Sequence, residues 1–373
     1  MALSNSRALR DACFAPFREL GRLPLSAHKK IAGARFRFES ASEALLTLVE
    51  DAYRGVPEHE LPTPAPEFRI ELRQLTRAEV PEAEEPPPVR MHEAAGLVYG
   101  IMDAFNYVVL APEQQRALVV ASEDMLRQSY YLRYELIEFA VFMLIARGQG
   151  LVPLHGACVG RDGRGVLLLG ASGSGKSTLA MHSLLEGLDF ISEDAVFVQP
   201  QSLLATGVAN YLHVQADALR FIDDQAIRDW ISQAPVIRRR SGVQKFEADL
   251  RLRHARLAPA PLQLIGAVFV SNQSAEDPDH LLSPVPSDEI AERLLADQPY
   301  AASQPGWDDF TQQLIQVGVH ELRRGRHPRA SVEAVRQLLD GSSALTSAAS
   351  APVRSVLHDA RPGTEVPLAE MSL

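Results

Sequence analysis

The sequence has two cysteines in 373 residues, Cys13 and Cys158. That excludes a disulfide framework and offers no metal-ligand spacing. Cys158 lies in an apolar run and reads as a buried structural thiol. Histidine supplies no ligand set either, because His213, His254, His320 and His327 follow no metal-binding pattern. Long apolar runs are also missing. The longest inside a helical pattern, Phe139 to Ala146, is far short of the roughly 20 residues that cross a bilayer. The first 20 residues lack the continuous apolar core of a secretory signal. A cytoplasmic protein with no membrane partner is therefore expected. Positive charge is in deficit, with 37 Lys plus Arg against 47 Asp plus Glu and a net of −10. Nonspecific nucleic-acid binding rests on neutralising phosphates, so no nucleic-acid partner is expected. The balance of 46% hydrophobic and 23% charged residues is that of a globular chain, and the length suggests about two domains.

What the chain does have is concentrated around residue 170. Gly170-Ala171-Ser172-Gly173-Ser174-Gly175-Lys176-Ser177 fits the phosphate-binding pattern G-x-x-x-x-G-K-[ST] at every fixed position. Val166 to Leu169 before it is a short apolar run, as expected of a buried strand, and Ser177 to Leu185 after it has helical spacing. Glycines let the backbone turn tightly and bring its N–H groups close to phosphate oxygens. The helix N-terminus adds unpaired donors and partial positive charge. In such a loop Lys176 reaches the β- and γ-phosphates, Ser177 binds Mg²⁺, and Thr178 completes the first helical turn. A nucleotide ligand, ATP with Mg²⁺, follows from this pattern.

The flanking residues narrow the reaction. Leu154-His-Gly-Ala-Cys-Val159 and Gly165-Val-Leu-Leu-Leu-Gly170 are joined across Asp162-Gly163, a hairpin signature. Ser192-Glu193-Asp194 follows the loop at the end of a further strand-like run. Carboxylates there suit metal binding and acceptance of a proton from an attacking hydroxyl.

These residues resemble the catalytic domain of bacterial HPr kinase/phosphorylase. The family's histidine precedes its loop serine by 22 residues, as His155 does Ser177 (177 − 155), and its acidic pair sits where Glu193-Asp194 stands. The resemblance covers residues 150 to 200, and 200 to 340 only in element order. It implies an α/β fold, with a P-loop domain of the HPr kinase/PEP-carboxykinase type on a mixed central sheet, beside a smaller α+β N-terminal domain. It also implies phosphate transfer from ATP to a serine or other hydroxyl of a small protein, peptide or metabolite, and a homo-oligomer. Two departures mark a divergent relative. Glu193 replaces an Asp, and Gly207 to Val214 occupies the place of the family's second, glycine-rich signature without its residues.

The roles implied are Lys176 and the loop N–H groups on the phosphates, Ser177 and Glu193 on the metal, and Asp194 as base oriented by His155. Read without the motif, His155 is a hydrogen-bonded core histidine, and Asp194 a cap on the next turn. Arg238-Arg239-Arg240 with Lys245 reads as a solvated face or as the source of a cation for the transferring phosphate. Two other functions stay open: a nucleotide-dependent switch or assembly ATPase, and a degenerate ATP-binding scaffold. The switch class favours a later apolar strand ending in Asp, whereas Leu264 to Val270 ends in Ser271-Asn272.

Periodicity divides the chain into an irregular segment 1–33 with a short helix near Ser6 to Phe17, an N-terminal domain 34–149, the nucleotide domain 150–340 and a loose tail 341–373. The N-terminal domain is expected to be a small antiparallel sheet with one helix. Arg77 to Arg90 is expected as an exposed proline-rich loop. The helix Ser129 to Arg147 is expected to bridge the two halves, with its aromatic residues in the core. Gly207 to Val214 reads as one strand, and Ser287 as the cap of a helix Asp288 to Asp297.

Overall fold

The computed structural model describes residues 23–63, 65–77, 85–252 and 256–341. The expected helix near Ser6 to Phe17, Cys13, His254, most of the proline-rich loop and the tail beyond 341 lie outside the described residues. The chain is a mixed α/β protein in two compact units. Described residues 23–54 and 63–149 form one, and 55–62 with 150–341 form the other. The short segment 55–62 thus leaves the expected N-terminal domain. His59 anchors it, with Nδ1 2.7 Å from Thr206 Oγ1 and Nε2 3.0 Å from the Ala258 carbonyl.

The N-terminal unit runs β1 (Leu25–Ile31), β2 (Ala34–Ser40), α1 (Glu43–Tyr53), β3 (Glu67–Leu75), β4 (Arg90–Ala94), β5 (Leu97–Ile101), β6 (Tyr107–Ala111), β7 (Arg116–Ser122) and a helical run, α2, over 129–148. Among the described residues its seven-stranded sheet has the order β1-β2-β3-β7-β6-β5-β4. The sheet is not antiparallel as expected: β3 runs parallel to both β2 and β7. The reason is connectivity. The crossover through α1 returns the chain in the same direction, which a tight turn cannot do. β1 lies within the segment expected to be irregular, and β4 begins at the last residue of the expected loop, Arg90. Two π-helical segments, Leu132–Glu138 and Leu144–Gly148, interrupt α2. α2 is not a bridge but part of this unit. Its aromatic residue Phe139 is buried in the core, against β5: a Cβ on Gly100 would come within 2.6 Å of the ring.

The second unit contains β8 (Val152–His155), β9 (Ala157–Arg161), β10 (Arg164–Leu169), α3 (Lys176–Leu185), β11 (Asp189–Ser192), β12 (Ala195–Gln199), β13 (Leu204–Gly207), β14 (Tyr211–Val214), α4 (Gln225–Ser232), β15 (Val236–Arg238), β16 (Gln244–Asp249), β17 (Leu262–Ser274), β18 (Leu282–Pro284), α5 (Ser287–Asp297), α6 (Trp307–Val317), β19 (Val319–Arg324) and α7 (Pro328–Gly341). Its nine-stranded mixed sheet follows β11-β9-β10-β17-β13-β12-β8, with β19 also on β17 and β18 on β19. β10 lies parallel to β17 and antiparallel to β9. At the β9–β10 hairpin tip Asp162 and Gly163 have φ of 52° and 78°, the left-handed pair that a two-residue hairpin demands. Alternation along β10 sends Val166 and Leu168 into one buried cluster with Leu179 of α3 and Val335 of α7. Leu167 and Leu169 enter another with Leu294 of α5 and Phe310 of α6. Both faces are covered, which is why this strand is apolar throughout.

Gly207 to Val214 is two strands in two sheets: β13 joins the large sheet and β14 pairs with β16 in a three-stranded one, β14-β16-β15. Ser287 does not cap α5 but is its first residue, preceded by Pro286.

Candidate functional site

The glycine-rich loop leaves β10 at Gly170 and enters α3 at Lys176. Gly170, Gly173 and Gly175 have φ of 126°, 79° and 106°, a region that side chains disfavour. At Gly170 space forbids a side chain as well, since a Cβ would meet the Val270 carbonyl oxygen at 2.6 Å. At Gly173 and Gly175 a Cβ would meet no atom of the described residues within 4 Å. Ala171, Ser172 and Gly173 are exposed, Ser174 is buried, and Ser177 and Thr178 are half-buried on the first turn of α3.

Lys176 is 7% exposed. Its ammonium folds back, donating to the Gly170 carbonyl and, at 3.3 Å, to that of Ala171. Burial lowers its proton affinity, opposed by Asp297 and then Asp194, while Lys245 adds to the lowering. A buried cation resting on two carbonyl oxygens is held where a better anion can claim it.

His155 ends β8, an edge strand paired on one side with β12. Its Nδ1 lies 3.4 Å from Asp194 Oδ1 and is buried without an aligned hydrogen bond. Asp194 follows the bend between β11 and β12, and its carbonyl accepts from Gly156 N at 3.2 Å. Its Oδ2 accepts from Arg239 Nη2 at 2.9 Å. Burial alone would raise the Asp194 carboxyl. Arg239, then His155, His213 and Lys245, outweigh it and hold the group well below the usual carboxylate range. Burial lowers His155; Asp194 opposes this, and Lys176 and Arg239 add to it. Near pH 7 the pair is therefore an anionic Asp194 beside a neutral His155.

The structure thus brings Lys176, His155 and Asp194 together at one end of the sheet. Glu193 goes elsewhere. Its Oε1 accepts from His213 N at 2.6 Å and lies 2.7 Å from His213 Nδ1, whose Nε2 is 3.4 Å from Glu247 Oε1. Burial would lower His213, but the carboxylates of Glu193 and Glu247 outweigh it and raise its proton affinity. The acidic pair divides because different partners hold the two carboxylates, His213 for Glu193 and Arg239 for Asp194. Oε2 of Glu193 is buried without a partner. A carboxylate oxygen is the kind of hard donor taken by magnesium, an ion that needs one or two protein oxygens when nucleotide phosphates supply others. Among the described residues no group of three or more His, Cys, Asp and Glu could hold a metal by itself.

Of the three arginines, Arg238 is exposed, whereas Arg239 turns inward from the β15–β16 turn onto Asp194. Two residues of the site, Asp297 and Gln298, escape detection by sequence reasoning. Asp297 Oδ2 accepts from Gly170 N at 3.2 Å, and the Gln298 amide bonds the His155 backbone. No local pattern signals them, because the contact closes over 143 residues. No protein-family model matches the chain, and no curated protein matches it in sequence.

Proposed function

We propose that the chain is an ATP-dependent kinase, a divergent HPr-kinase-like phosphotransferase with a P-loop at Gly170 to Ser177. The observation that carries this reading is the gathering of Lys176, Asp194 and His155 around a loop of left-handed glycines that opens to solvent. The loop N–H groups and Lys176 would take the β- and γ-phosphates, with the ammonium leaving the Gly170 and Ala171 carbonyls for phosphate oxygens. Ser177 and Glu193 Oε2 would hold magnesium, which would supply charge neutralisation on those phosphates.

The acceptor is a hydroxyl of a small protein, peptide or metabolite. Its oxygen forms a bond to the γ-phosphorus as the bond to the β,γ-bridging oxygen breaks, and ADP leaves. Asp194 accepts the hydroxyl proton. A carboxylate held this acidic is a weak base in the ground state, so its first task is orientation. The proton moves late, once oxygen–phosphorus bonding has made the hydroxyl acidic. Neutral His155 flanks Asp194 and limits its positions, and Arg239 and Lys245 place positive charge beside the transferring group.

The test is incubation of the protein with γ-labelled ATP and candidate acceptors, beside Lys176→Ala. The wild type is expected to bind ATP and transfer label, and the folded variant to do neither. Unchanged nucleotide affinity in Lys176→Ala overturns the assignment. Hydrolysis with no labelled acceptor favours the switch reading.

A further inference from the structure

α5 ends at Asp297, with Gln298 and Pro299 following. A helix C-terminus carries partial negative charge, so an aspartate there is unfavourable for the helix itself. No basic residue in the last turn offsets it. The carboxylate instead reaches the glycine-rich loop, where Oδ2 accepts the Gly170 N–H at 3.2 Å. The same oxygen accepts from Gln298 Nε2 at 2.7 Å.

Gln298 is 3% exposed. Its Oε1 accepts from His155 N at 2.8 Å, and its Nε2 donates to the His155 carbonyl at 2.9 Å. β8 is an edge strand, so these two backbone groups face away from β12 and have no neighbouring strand. One planar amide supplies the donor and the acceptor that a further strand would. Glutamate at this position lacks the donor, and methionine lacks both. The Gly170 carbonyl, at the other end of the chain of contacts, accepts the Lys176 ammonium. A continuous path therefore runs from the His155 backbone through the Gln298 amide and the Asp297 carboxylate to Gly170 and Lys176.

We propose that Asp297 and Gln298 are a positioning pair that locks the His155 strand and the first glycine of the loop into one register, so that His155 and Lys176 are placed together. Its kinetic consequence rests on the kinase reading; its structural consequence does not. Gln298 acts through His155 and bears on turnover. Asp297 acts through the loop and bears on nucleotide affinity. Neither touches the reacting atoms.

The experiment uses the full chain as wild type, Gln298→Met, Asp297→Ala, Asp297→Asn and the double variant Asp297→Ala with Gln298→Met. Amide hydrogen exchange is read at His155 and Gly170, and KM for ATP and kcat are measured with the acceptor. The His155 amide is expected to be protected in the wild type despite its edge position; fast exchange there overturns the proposal with no variant needed. In folded Gln298→Met that protection should fall and kcat should drop by about 10- to 100-fold, the scale of a misplaced catalytic group, with KM little changed. Asp297→Ala should release the Gly170 amide and raise KM by about tenfold, an interaction of ordinary charge-assisted strength. Asp297→Asn, which keeps the acceptor, should restore Gly170 protection. The double variant should lose less than the combined single losses, because one hydrogen bond joins the pair. Unchanged exchange at both amides in the two folded single variants, or full additivity, reduces the pair to a helix end. A wild type that binds no nucleotide defeats the kinase reading, while exchange at His155 and Gly170 still decides the pair.

Discussion

In the N-terminal unit Arg77 is 8% exposed in its side chain, and its guanidinium donates to Asp103 at 3.2 Å and to both oxygens of Asp124. Burial opposes the charge on each partner and pairing outweighs it, so Arg77 is raised and Asp124 lowered: each stays in the charge state that its partner needs. In the second unit Asp194 is likewise held ionised between Arg239 and His155, but Lys176 and His155 both lose proton affinity to burial. Similar residue types thus serve two ends. Mutually satisfied pairs hold a fold together, whereas cations that burial has weakened, beside an open loop, are poised to exchange partners. Perturbed protonation clustered at one open loop supports the proposed site.

The contrast breaks most visibly at Asp194. Asp194→Asn is expected to retain ATP binding and to lose phosphoryl transfer by about 10²-fold or more, the scale of a general base. Glu193→Gln should instead weaken magnesium binding and raise the magnesium concentration needed, because Glu193 Oε2 rather than Asp194 would hold the metal. Full transfer by Asp194→Asn in a single-turnover assay removes Asp194 from the mechanism.

Arg77→Ala probes the other side. It strands Asp103 and Asp124 with their charge partner gone, and about 2 kcal/mol of stability should be lost, as for charge-assisted hydrogen bonds of a part-buried pair. Denaturant unfolding measures the loss, and nucleotide affinity of the folded variant should not change. A loss of affinity without a loss of stability would erase the distinction between the units.

The smallest effect concerns His182 on α3, buried with Nε2 unpartnered and its ring 5.9 Å from that of His327. Burial, then His327, lowers it to about 4 from the ordinary 6.5. Between these values the unfolded chain binds a proton that the folded chain refuses. Its contribution is therefore complete above about pH 6.5 and is lost as pH falls towards 4, by about 1 kcal/mol once solvent screening is allowed for. His182→Leu should flatten that acid loss in melts taken from pH 7 to 4. An equally steep decline in the variant assigns the acid sensitivity to other groups.

Much of the frame is legible in the residues themselves. The hairpin tip at Asp162-Gly163 and the strand–loop–helix around Lys176 stand where residue chemistry and periodicity put them. Misreadings cluster where pairing rather than pattern decides. β1 lies in a segment whose composition reads as irregular and is a strand by its pairing with β2, and the parallel setting of β3 follows from a crossover that alternation does not reveal. Arg239 is in sequence one of three consecutive arginines, and only the β15–β16 turn singles it out by carrying it onto Asp194.

The sequence by itself determined the local conformations, because turn glycines, apolar alternation and helical spacing act over a few neighbouring residues. It also placed the glycine-rich loop, and the family resemblance pointed to His155 and Asp194, which lie 3.4 Å apart. Only the tertiary structure decided that Glu193 turns to His213, that His59 ties 55–62 to Thr206, and that Gln298 completes the edge at His155. These contacts close over 20, 147 and 143 residues, and each depends on which strands become neighbours and in what register. A one-residue shift would turn alternate side chains to the opposite face, and no stretch of chain carries that information alone.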